Sequence, residues 1–200
     1  MKYSIIVPTF NRPDEVTELL ESLTGQTFRD FEVILADGSP ATLVKEVADR
    51  YGQRLNLQYL YEKGLGISES RNLGVEKASG EYILFLDSDC ITPPAWLSTI
   101  DNYLSLNRVE VFGGPDATHE SFSPVQKAIS YAMTSPFTTG GIRGRKKHMG
   151  KYQPRSFNMG VLREAFLKVG GFSGLKVSED IDLSIRLDQA GYRTALIPEA

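Results

Sequence analysis

The sequence contains one cysteine and two histidines among its 200 residues. Cys90 alone cannot form an intramolecular disulfide or a cysteine-based zinc site, and its isolation is typical of a reducing compartment. His119 and His148 do not stand near a serine or cysteine in a nucleophile motif, and the sequence has neither a zincin motif nor a P-loop. Chemistry in this chain is therefore expected from carboxylates, hydroxyls and guanidinium groups.

Long apolar runs are also missing from the sequence. The apolar run near the N-terminus is interrupted at Pro8, which makes it too short for the core of a signal peptide. No run approaches the roughly 18 apolar residues that a membrane-spanning helix needs. We therefore expect a cytoplasmic protein without a membrane span.

Acidic residues are absent between Glu120 and Glu164, although the whole chain has a net charge of −3. A basic segment on an acidic body indicates a localised anionic partner, although a solvated loop kept soluble by its charge fits the same pattern. Within this segment, residues 134–155 show no periodicity and predict a mobile basic loop, a candidate lid or acceptor-side element. The eight basic residues of the segment are Lys127, Arg143, Arg145, Lys146, Lys147, Lys151, Arg155 and Arg163.

Two further binding patterns are incomplete. Gly64-Leu65-Gly66 begins like a dinucleotide fingerprint but lacks its third glycine, and it follows the third predicted strand rather than the first. The basic segment alone does not indicate a nucleic-acid-binding protein, because the chain is acidic overall and has no recognition module. Neither a nicotinamide or flavin site nor a nucleic-acid partner is expected.

Hydrophobic periodicity predicts strands and helices that alternate through most of the chain. The first predicted strand covers residues 2–7 and stops at Pro8, the second covers 31–36, and 83–86 is a strand with apolar residues on both faces. Amphipathic helices are predicted between the strands. This alternation predicts an α/β fold in which residues 1–200 form a single domain with a mostly parallel central sheet flanked by helices.

Two carboxylates, Asp87 and Asp89, directly follow the strand at 83–86. Ligands bind at the carboxyl ends of strands in open α/β sheets, and Mg²⁺ is usually held by one or two carboxylates together with substrate phosphates. The same residues would also suit an Asx turn that caps the next helix. On this motif alone, both interpretations stay open.

Other polar side chains stand at the exits of the neighbouring strands. Thr9 follows the first strand, Asp37 follows the second, and Arg71 lies on the helix after the third. In a parallel sheet these exits converge on one edge. Carboxylates accept hydrogen bonds from a nucleobase or ribose, and a guanidinium holds a base or phosphate, so the set fits a nucleoside diphosphate.

The same motifs, in this order and spacing, resemble inverting family 2 glycosyltransferases across essentially the whole chain. Those enzymes have the GT-A fold, a Rossmann-like α/β domain, and move a sugar from a nucleotide-diphospho-sugar to an acceptor hydroxyl with a divalent cation, Mn²⁺ or Mg²⁺. The expected donor is a UDP-sugar, and the expected setting is bacterial-type glycan or polysaccharide assembly. The motifs that carry the resemblance are Val7-Pro8-Thr9-Phe10-Asn11-Arg12, Asp37-Gly38-Ser39, Arg71-Asn72-x-Gly74, Asp87-Ser88-Asp89, Gly170-Gly171-Phe172 and Glu179-Asp180.

The resemblance implies a role for each matching residue. Asp180 would be the catalytic base, Asp89 would coordinate the metal, and Asp87 would reach either the metal or the ribose. Separately from the resemblance, we expect Glu179, Arg143 and Arg145 on the acceptor side. The charge of the basic segment would suit an anionic, lipid-linked acceptor at the inner membrane face. The residues expected to contact the donor are Pro8, Thr9, Asn11, Asp37, Arg71, Asp87 and Ser88.

Two departures from the family pattern qualify these expectations. Family members commonly have a further histidine metal ligand shortly after the position where this sequence ends with Ile197-Pro198-Glu199-Ala200, so we expect either a missing C-terminal tail or a more weakly held metal. The QxxRW-type motif of processive synthases is absent, which favours transfer of a single sugar. The remaining alternatives are a nucleotide-sugar-binding module without turnover and a sugar-nucleotide nucleotidyltransferase.

Overall fold

The computed structural model describes residues 1–115, 152–175 and 177–200, together with positions 125, 128, 131 and 132. Arg143, Arg145 and all but the last four residues of the 134–155 loop lie outside the described residues. The strands are β1 (Tyr3–Thr9), β2 (Phe31–Asp37), β3 (Leu57–Tyr61), β4 (Tyr82–Leu86), β5 (Val111–Gly113), β6 (Asn158–Leu162) and β7 (Thr194–Leu196). The helices are α1 (Pro13–Thr24), α2 (Leu43–Tyr51), α3 (Ile67–Lys77), α4 (Trp96–Leu106), α5 (Arg163–Lys168) and α6 (Glu179–Gln189).

The described strands form one sheet in the order β3-β2-β1-β4-β6-β5-β7. β1 is parallel to both of its neighbours, and β2–β3 and β5–β7 are parallel as well. β6 runs antiparallel to both β4 and β5. The predicted mostly parallel sheet is confirmed, and its carboxyl edge gathers the exits of β1, β2 and β4.

Helices cover both faces of the sheet, as the alternation of elements predicted. Buried apolar side chains of α1, α2 and α4, such as Leu19, Val47 and Ile100, pack in one core cluster. Those of α3, α5 and α6, such as Val75 and Leu183, pack in a second cluster. The buried residues of α1 and α2 recur at the 3.6-residue period, which is why the sequence pattern located these helices. The buried face of α3 is instead mostly polar and includes Arg71.

The end of the first strand differs from the prediction. β1 does not stop at Pro8, since Pro8 pairs with Ala36 and the strand continues to Thr9. The carbonyl of Thr9 accepts the N–H of Gly38 on the β2 side, so the backbone of Pro8 faces β4, where the ladder has already ended at Ile6. The missing N–H of proline therefore costs no ladder hydrogen bond at this position.

Among the described residues, no helix combines the length and apolarity that crossing a bilayer requires.

Gly160 provides a test of the packing around β6. A Cβ at this position would overlap the buried ring of Phe112 on β5. Gly160→Ala should therefore lower the free energy of unfolding by about 1–3 kcal/mol, the usual cost of overpacking a core. Gly174→Ala is the control, because a Cβ added to this exposed glycine would meet no heavy atom within 4 Å. Equal urea midpoints for the two variants would contradict the described packing.

Candidate active site

A cleft of about 420 Å³ lies at the carboxyl edge of the sheet. Residues at the exit of β1, in the first turn of α3 and at the exit of β4 line it. Of the predicted donor and metal residues, those that line the cleft are Pro8, Thr9, Asp87, Ser88 and Asp89. The convergence expected from a parallel sheet therefore brings these five side chains to one site.

Arg71 connects the loop after β4, which carries Asp87, to the start of α6. Its side chain is 1% exposed, and it donates from Nη2 to Asp87 Oδ1 at 2.8 Å and from Nη1 to Glu179 Oε1 at 3.0 Å. Its guanidinium also lies 5.2 Å from the centre of the Phe172 ring. Arg71 does not line the cleft, so its predicted contact with a donor stays a prediction, and in this structure its hydrogen bonds go to carboxylates.

The environment of Asp87 perturbs its ionisation. Burial raises the pKa of the Asp87 carboxyl above its ordinary value, and the neighbouring Arg71 opposes that rise only in part. A further cation at the cleft would favour the ionised form of Asp87. A divalent ion bound beside Asp87 would therefore lower the pKa of this carboxyl.

Asp37 is fully buried beneath the segment that joins β3 to α3. Its Oδ1 accepts from the backbone N–H and the hydroxyl of Ser39, and its Oδ2 accepts from the Tyr59 hydroxyl at 2.7 Å. Burial and this hydrogen bond raise the pKa of Tyr59, so its proton stays on the hydroxyl. Asp37 does not line the cleft in this structure. The predicted contact with a base or ribose therefore stays a prediction.

Thr9 and Asn11 occupy the turn after β1. Thr9 is 5% exposed, and its Oγ1 has no hydrogen-bond partner among the described residues although it borders the cleft. Buried polar groups normally find a partner, so this hydroxyl is available to a bound ligand. Asn11 adopts a left-handed backbone conformation (φ 54°), and its N–H donates to Ser39 Oγ at 2.7 Å. Asn11 therefore shapes the turn rather than lining the cleft.

Asp89 carries the more exposed carboxylate of the pair. It accepts from Arg12 Nη1 at 3.0 Å, and the side chains are 58% and 48% exposed respectively. Neither Asp87 nor Asp89 caps a helix, because α4 begins at Trp96 and its N-cap residue, Ala95, makes no side-chain cap bond. The helix-cap interpretation of this pair is therefore wrong.

Asp180 lies in the first turn of α6 and is 5% exposed. Its Oδ1 accepts from the backbone N–H of Ile181 at 2.8 Å, and its Oδ2 lies 3.1 Å from Arg155 Nε. Glu179, the neighbouring residue, is turned toward Arg71. Asp180 does not line the cleft, and its Oδ2 is engaged by Arg155 in this structure. The catalytic role of Asp180 stays a prediction.

The chemistry of the cleft suits a cation that is shared with a ligand. Arg71 engages Oδ1 of Asp87 and leaves Oδ2 to other partners, and the side chain that binds Asp89 is an exposed arginine. The described part of the chain has no cluster of three or more His, Cys, Asp or Glu that would hold a metal by itself. Two carboxylates fit Mg²⁺ or Mn²⁺ only when substrate phosphates and water complete the coordination.

Sequence reasoning assigned no site role to four residues that the structure places in contact with site residues. Arg12 was part of a recognised motif, Ser39 follows Asp37 at the spacing of an Asx turn, and Tyr59 alternates with Tyr61 along β3. Arg155 was counted only within the basic segment. The pairing of Arg155 with Asp180 could not be predicted from a local sequence pattern, because Arg155 precedes β6 whereas Asp180 lies in α6.

A family model described as Glycosyl transferase family 2 matches residues 4–170 of the chain. An uncharacterized glycosyltransferase of Haemophilus influenzae is 34% identical over 191 residues, which cover 93% of this chain and 62% of the relative. Glycosyltransferase AglE of Haloferax volcanii is 31% identical over 194 residues, which cover 94% of this chain and 62% of the relative. The chain thus spans less than two thirds of the length of either relative.

Solved structures share the fold at lower sequence identity. Staphylococcus aureus TarS residues 1–349 in complex with UDP-GlcNAc superposes with a TM-score of 0.76 at 23% identity, covering 100% of this chain and 57% of TarS 1–349. The mannosyltransferase PcManGT of Pyrobaculum calidifontis, in complex with GDP-Man and Mn²⁺, gives a TM-score of 0.74 at 19% identity, covering 99% of this chain and 55% of PcManGT. These likenesses establish the fold.

The bridge formed by Arg71 predicts a clear effect on stability. Arg71→Met should lower the free energy of unfolding by about 2–3 kcal/mol, because it leaves two carboxylates without their cation. The full cost of a buried unpaired charge is not expected, since the Asp87 side chain is 36% exposed. Arg54→Met is the control, because its pair with Glu21 is exposed and such pairs contribute little to stability. Urea unfolding that places both variants at the same midpoint would contradict the bridge.

Proposed function

The chain belongs to glycosyltransferase family 2, and from that membership we propose that it moves one sugar from a nucleotide-diphospho-sugar to an acceptor hydroxyl. The observation that carries the proposal is the cleft at the strand exits, where Asp87 and Asp89 stand beside the Thr9 hydroxyl, which lacks a partner in the described part of the chain. A diphosphate needs cationic neutralisation, and its nucleoside needs hydrogen-bonding groups. At this edge of the sheet, the two carboxylates would hold the neutralising cation and the Thr9 hydroxyl would bind the nucleoside.

A UDP-sugar is the donor that we propose, with binding supported by Pro8, Thr9 and Ser88 along the cleft. The fold is shared with a TarS complex of UDP-GlcNAc, which supports a uridine donor, and with a PcManGT complex of GDP-Man, which makes a guanosine donor the alternative. Asp37 would contribute to nucleoside recognition from behind the cleft, through Ser39 and the turn after β1 that Ser39 holds.

A divalent cation, Mn²⁺ or Mg²⁺, is part of the proposal, with Asp89 and Oδ2 of Asp87 as its protein ligands. When bound, such a cation neutralises negative charge on the leaving diphosphate as a Lewis acid. The fold shared with PcManGT in complex with Mn²⁺ supports this choice of ion. Arg71 holds Asp87 in place through its other carboxylate oxygen.

Asp180 is the proposed general base. It would take the proton of the acceptor hydroxyl as the acceptor oxygen bonds to the anomeric carbon and the bond from that carbon to the diphosphate oxygen breaks. A single displacement from the face opposite the leaving group inverts the anomeric centre.

The acceptor side is the least constrained part of the proposal. Glu179 stands next to Asp180, while Arg143 and Arg145 lie outside the described residues. Their charges in the sequence support an anionic acceptor, such as a lipid-linked sugar diphosphate reached by peripheral contact with an anionic membrane face. A role in bacterial-type glycan assembly and a cytoplasmic location remain predictions.

A donor panel tests the proposed function. The protein is incubated with UDP-, GDP- and dTDP-sugars in the presence of Mn²⁺, and the released products are measured. We expect slow release of UDP from a UDP-sugar even without an acceptor. Formation of a nucleoside triphosphate and a sugar 1-phosphate when pyrophosphate is added to the same mixtures would instead indicate a nucleotidyltransferase, and binding without release of any nucleotide would indicate a binding module.

Asp180→Asn tests the base assignment. We expect UDP affinity to be unchanged by calorimetry while sugar transfer falls by about 10²–10⁴-fold, the usual contribution of a general base. Asp182→Asn is the matched control on the same helix, since Asp182 is paired with Arg186 and Ser173 and has no proposed role at the cleft. Retained transfer in Asp180→Asn would refute the assignment.

Asp89→Ala tests the metal assignment. In the unaltered protein, Mn²⁺ should strengthen UDP binding, because Asp89 would hold a cation that neutralises the diphosphate. The variant should lose this Mn²⁺ dependence in calorimetric titrations with and without the ion. Asp49→Ala removes a similarly exposed, salt-bridged aspartate on α2 and should retain the dependence. A Mn²⁺ effect that survives in Asp89→Ala would place the cation elsewhere.

A further inference from the structure

The guanidinium of Arg12 binds the carboxylate of Asp89, which is a ligand of the proposed metal. Its Nη1 donates to Asp89 Oδ2 at 3.0 Å, and both residues line the same cleft. Thr9, Arg12 and Asp89 thus face one space, where a diphosphate would have to lie. A single guanidinium is therefore within reach of both the metal ligand and the expected position of the phosphates.

Hydrogen bonding holds the backbone before Arg12, whereas the Arg12 side chain is held only by an exposed ion pair. The N–H of Asn11 is held by Ser39, and Pro13 begins α1 directly after Arg12. The Arg12 side chain makes no cap bond to that helix. A long side chain on a fixed backbone can exchange partners without rearranging the fold, and its guanidinium suits phosphate as well as carboxylate geometry.

The two arginine–carboxylate pairs of the cleft differ in their exposure. Arg71 is buried, so its pair with Asp87 is a permanent part of the structure. The side chains of Arg12 and Asp89 are 48% and 58% exposed, and such pairs are weak and readily exchanged. A divalent ion at Asp89 would place a like charge beside Arg12, while a diphosphate would attract the displaced guanidinium.

We propose that Arg12 is a place-holding cation, which neutralises Asp89 in the empty cleft and moves to the donor diphosphate when a divalent ion takes Asp89. This inference rests on the proposed function. Arg12 competes with the metal when no nucleotide is present and assists nucleotide binding when the metal is present. The consequence is coupled binding: the ion alone binds weakly, and the ion and the nucleotide bind strongly together.

Replacement of Arg12 should therefore change two affinities in opposite directions. In Arg12→Gln, Mn²⁺ alone should bind about two- to five-fold more tightly, as expected from losing an exposed competing ion pair. UDP in the presence of Mn²⁺ should bind about ten-fold more weakly, because a charge-assisted phosphate contact is lost. The first affinity is measured from the paramagnetic resonance signal of free Mn²⁺ and the second by calorimetry.

Two further variants separate this role from a general loss of charge. Arg54→Gln breaks the ion pair of Arg54 with Glu21, which lies away from the cleft. The two side chains are 51% and 56% exposed, close to the values for Arg12 and Asp89. Arg54→Gln should change neither affinity. Arg12→Lys keeps the positive charge, so its affinity for Mn²⁺ alone should stay near that of the unaltered protein, while it loses the two-pronged phosphate contact.

Each outcome decides between explanations. Opposite changes in Arg12→Gln support the place-holding role. If UDP binding by the unaltered protein depends on Mn²⁺ but Arg12→Gln leaves either affinity unchanged, or shifts both in the same direction, the inference is overturned and the proposed function stands. If UDP binding by the unaltered protein does not depend on Mn²⁺, both the proposed metal site and the inference fail.

Discussion

The candidate site depends on one buried guanidinium. Arg71 reaches Asp87 on the loop after β4 and Glu179 at the start of α6, and its positive charge lies against the ring of Phe172. Residues from distant parts of the chain are thereby held in a fixed relation. Two carboxylates at this depth would otherwise repel each other and carry an uncompensated desolvation cost, so the arginine is what allows them to stand together.

The close approach of α3 to the sheet makes this bridge possible. A side chain at Gly74 would collide with the buried Ile6 of β1, so the absence of a Cβ lets the helix lie against the strand. Asn72, on the same helix, exchanges two hydrogen bonds with the backbone of Phe172, which fixes the loop that carries the aromatic ring. The position of Arg71 therefore follows from packing along the whole helix.

Behind the cleft and along its lining lie side chains that are fixed by hydrogen bonds, while the rim of the cleft carries an exposed ion pair. Asp37, Arg71 and Asp87 are held by buried or partly buried hydrogen bonds that fix their orientation. Asp89 and Arg12 stand at the rim in an exposed pair. Buried charge-assisted bonds are costly to break, whereas exposed pairs exchange with solvent and ligands at little cost. A donor that arrives with its own cation would therefore reorganise the rim while the hydrogen-bonded side chains keep their geometry.

Much of this arrangement could be predicted from the sequence, because strand exits in a parallel sheet share one edge. The placement of Thr9, Asp87 and Asp89 around a single cleft follows from that topology and from hydrophobic periodicity. The prediction that Pro8 ends the first strand was wrong, since proline is tolerated where no neighbouring ladder needs its N–H.

The partners of the charged side chains could not be predicted in the same way. Arg71 and Glu179 are 108 positions apart, and Arg12 and Asp89 are 77 apart, so no local pattern records either pair. The burial of Asp37 and the approach of Arg155 to Asp180 are likewise products of tertiary packing. Sequence motifs predicted the site residues, and the structure shows which of them contact one another.

We propose that Asp87 and Asp89 form a cation–diphosphate site at the edge of the sheet. Anomalous scattering from crystals grown with Mn²⁺ and UDP would locate the ion. We expect one strong manganese peak in contact with the Asp89 carboxylate and the diphosphate oxygens, with Asp87 still bound to Arg71. A diphosphate bound in this cleft without manganese, or a manganese peak away from both aspartates, would contradict the proposal.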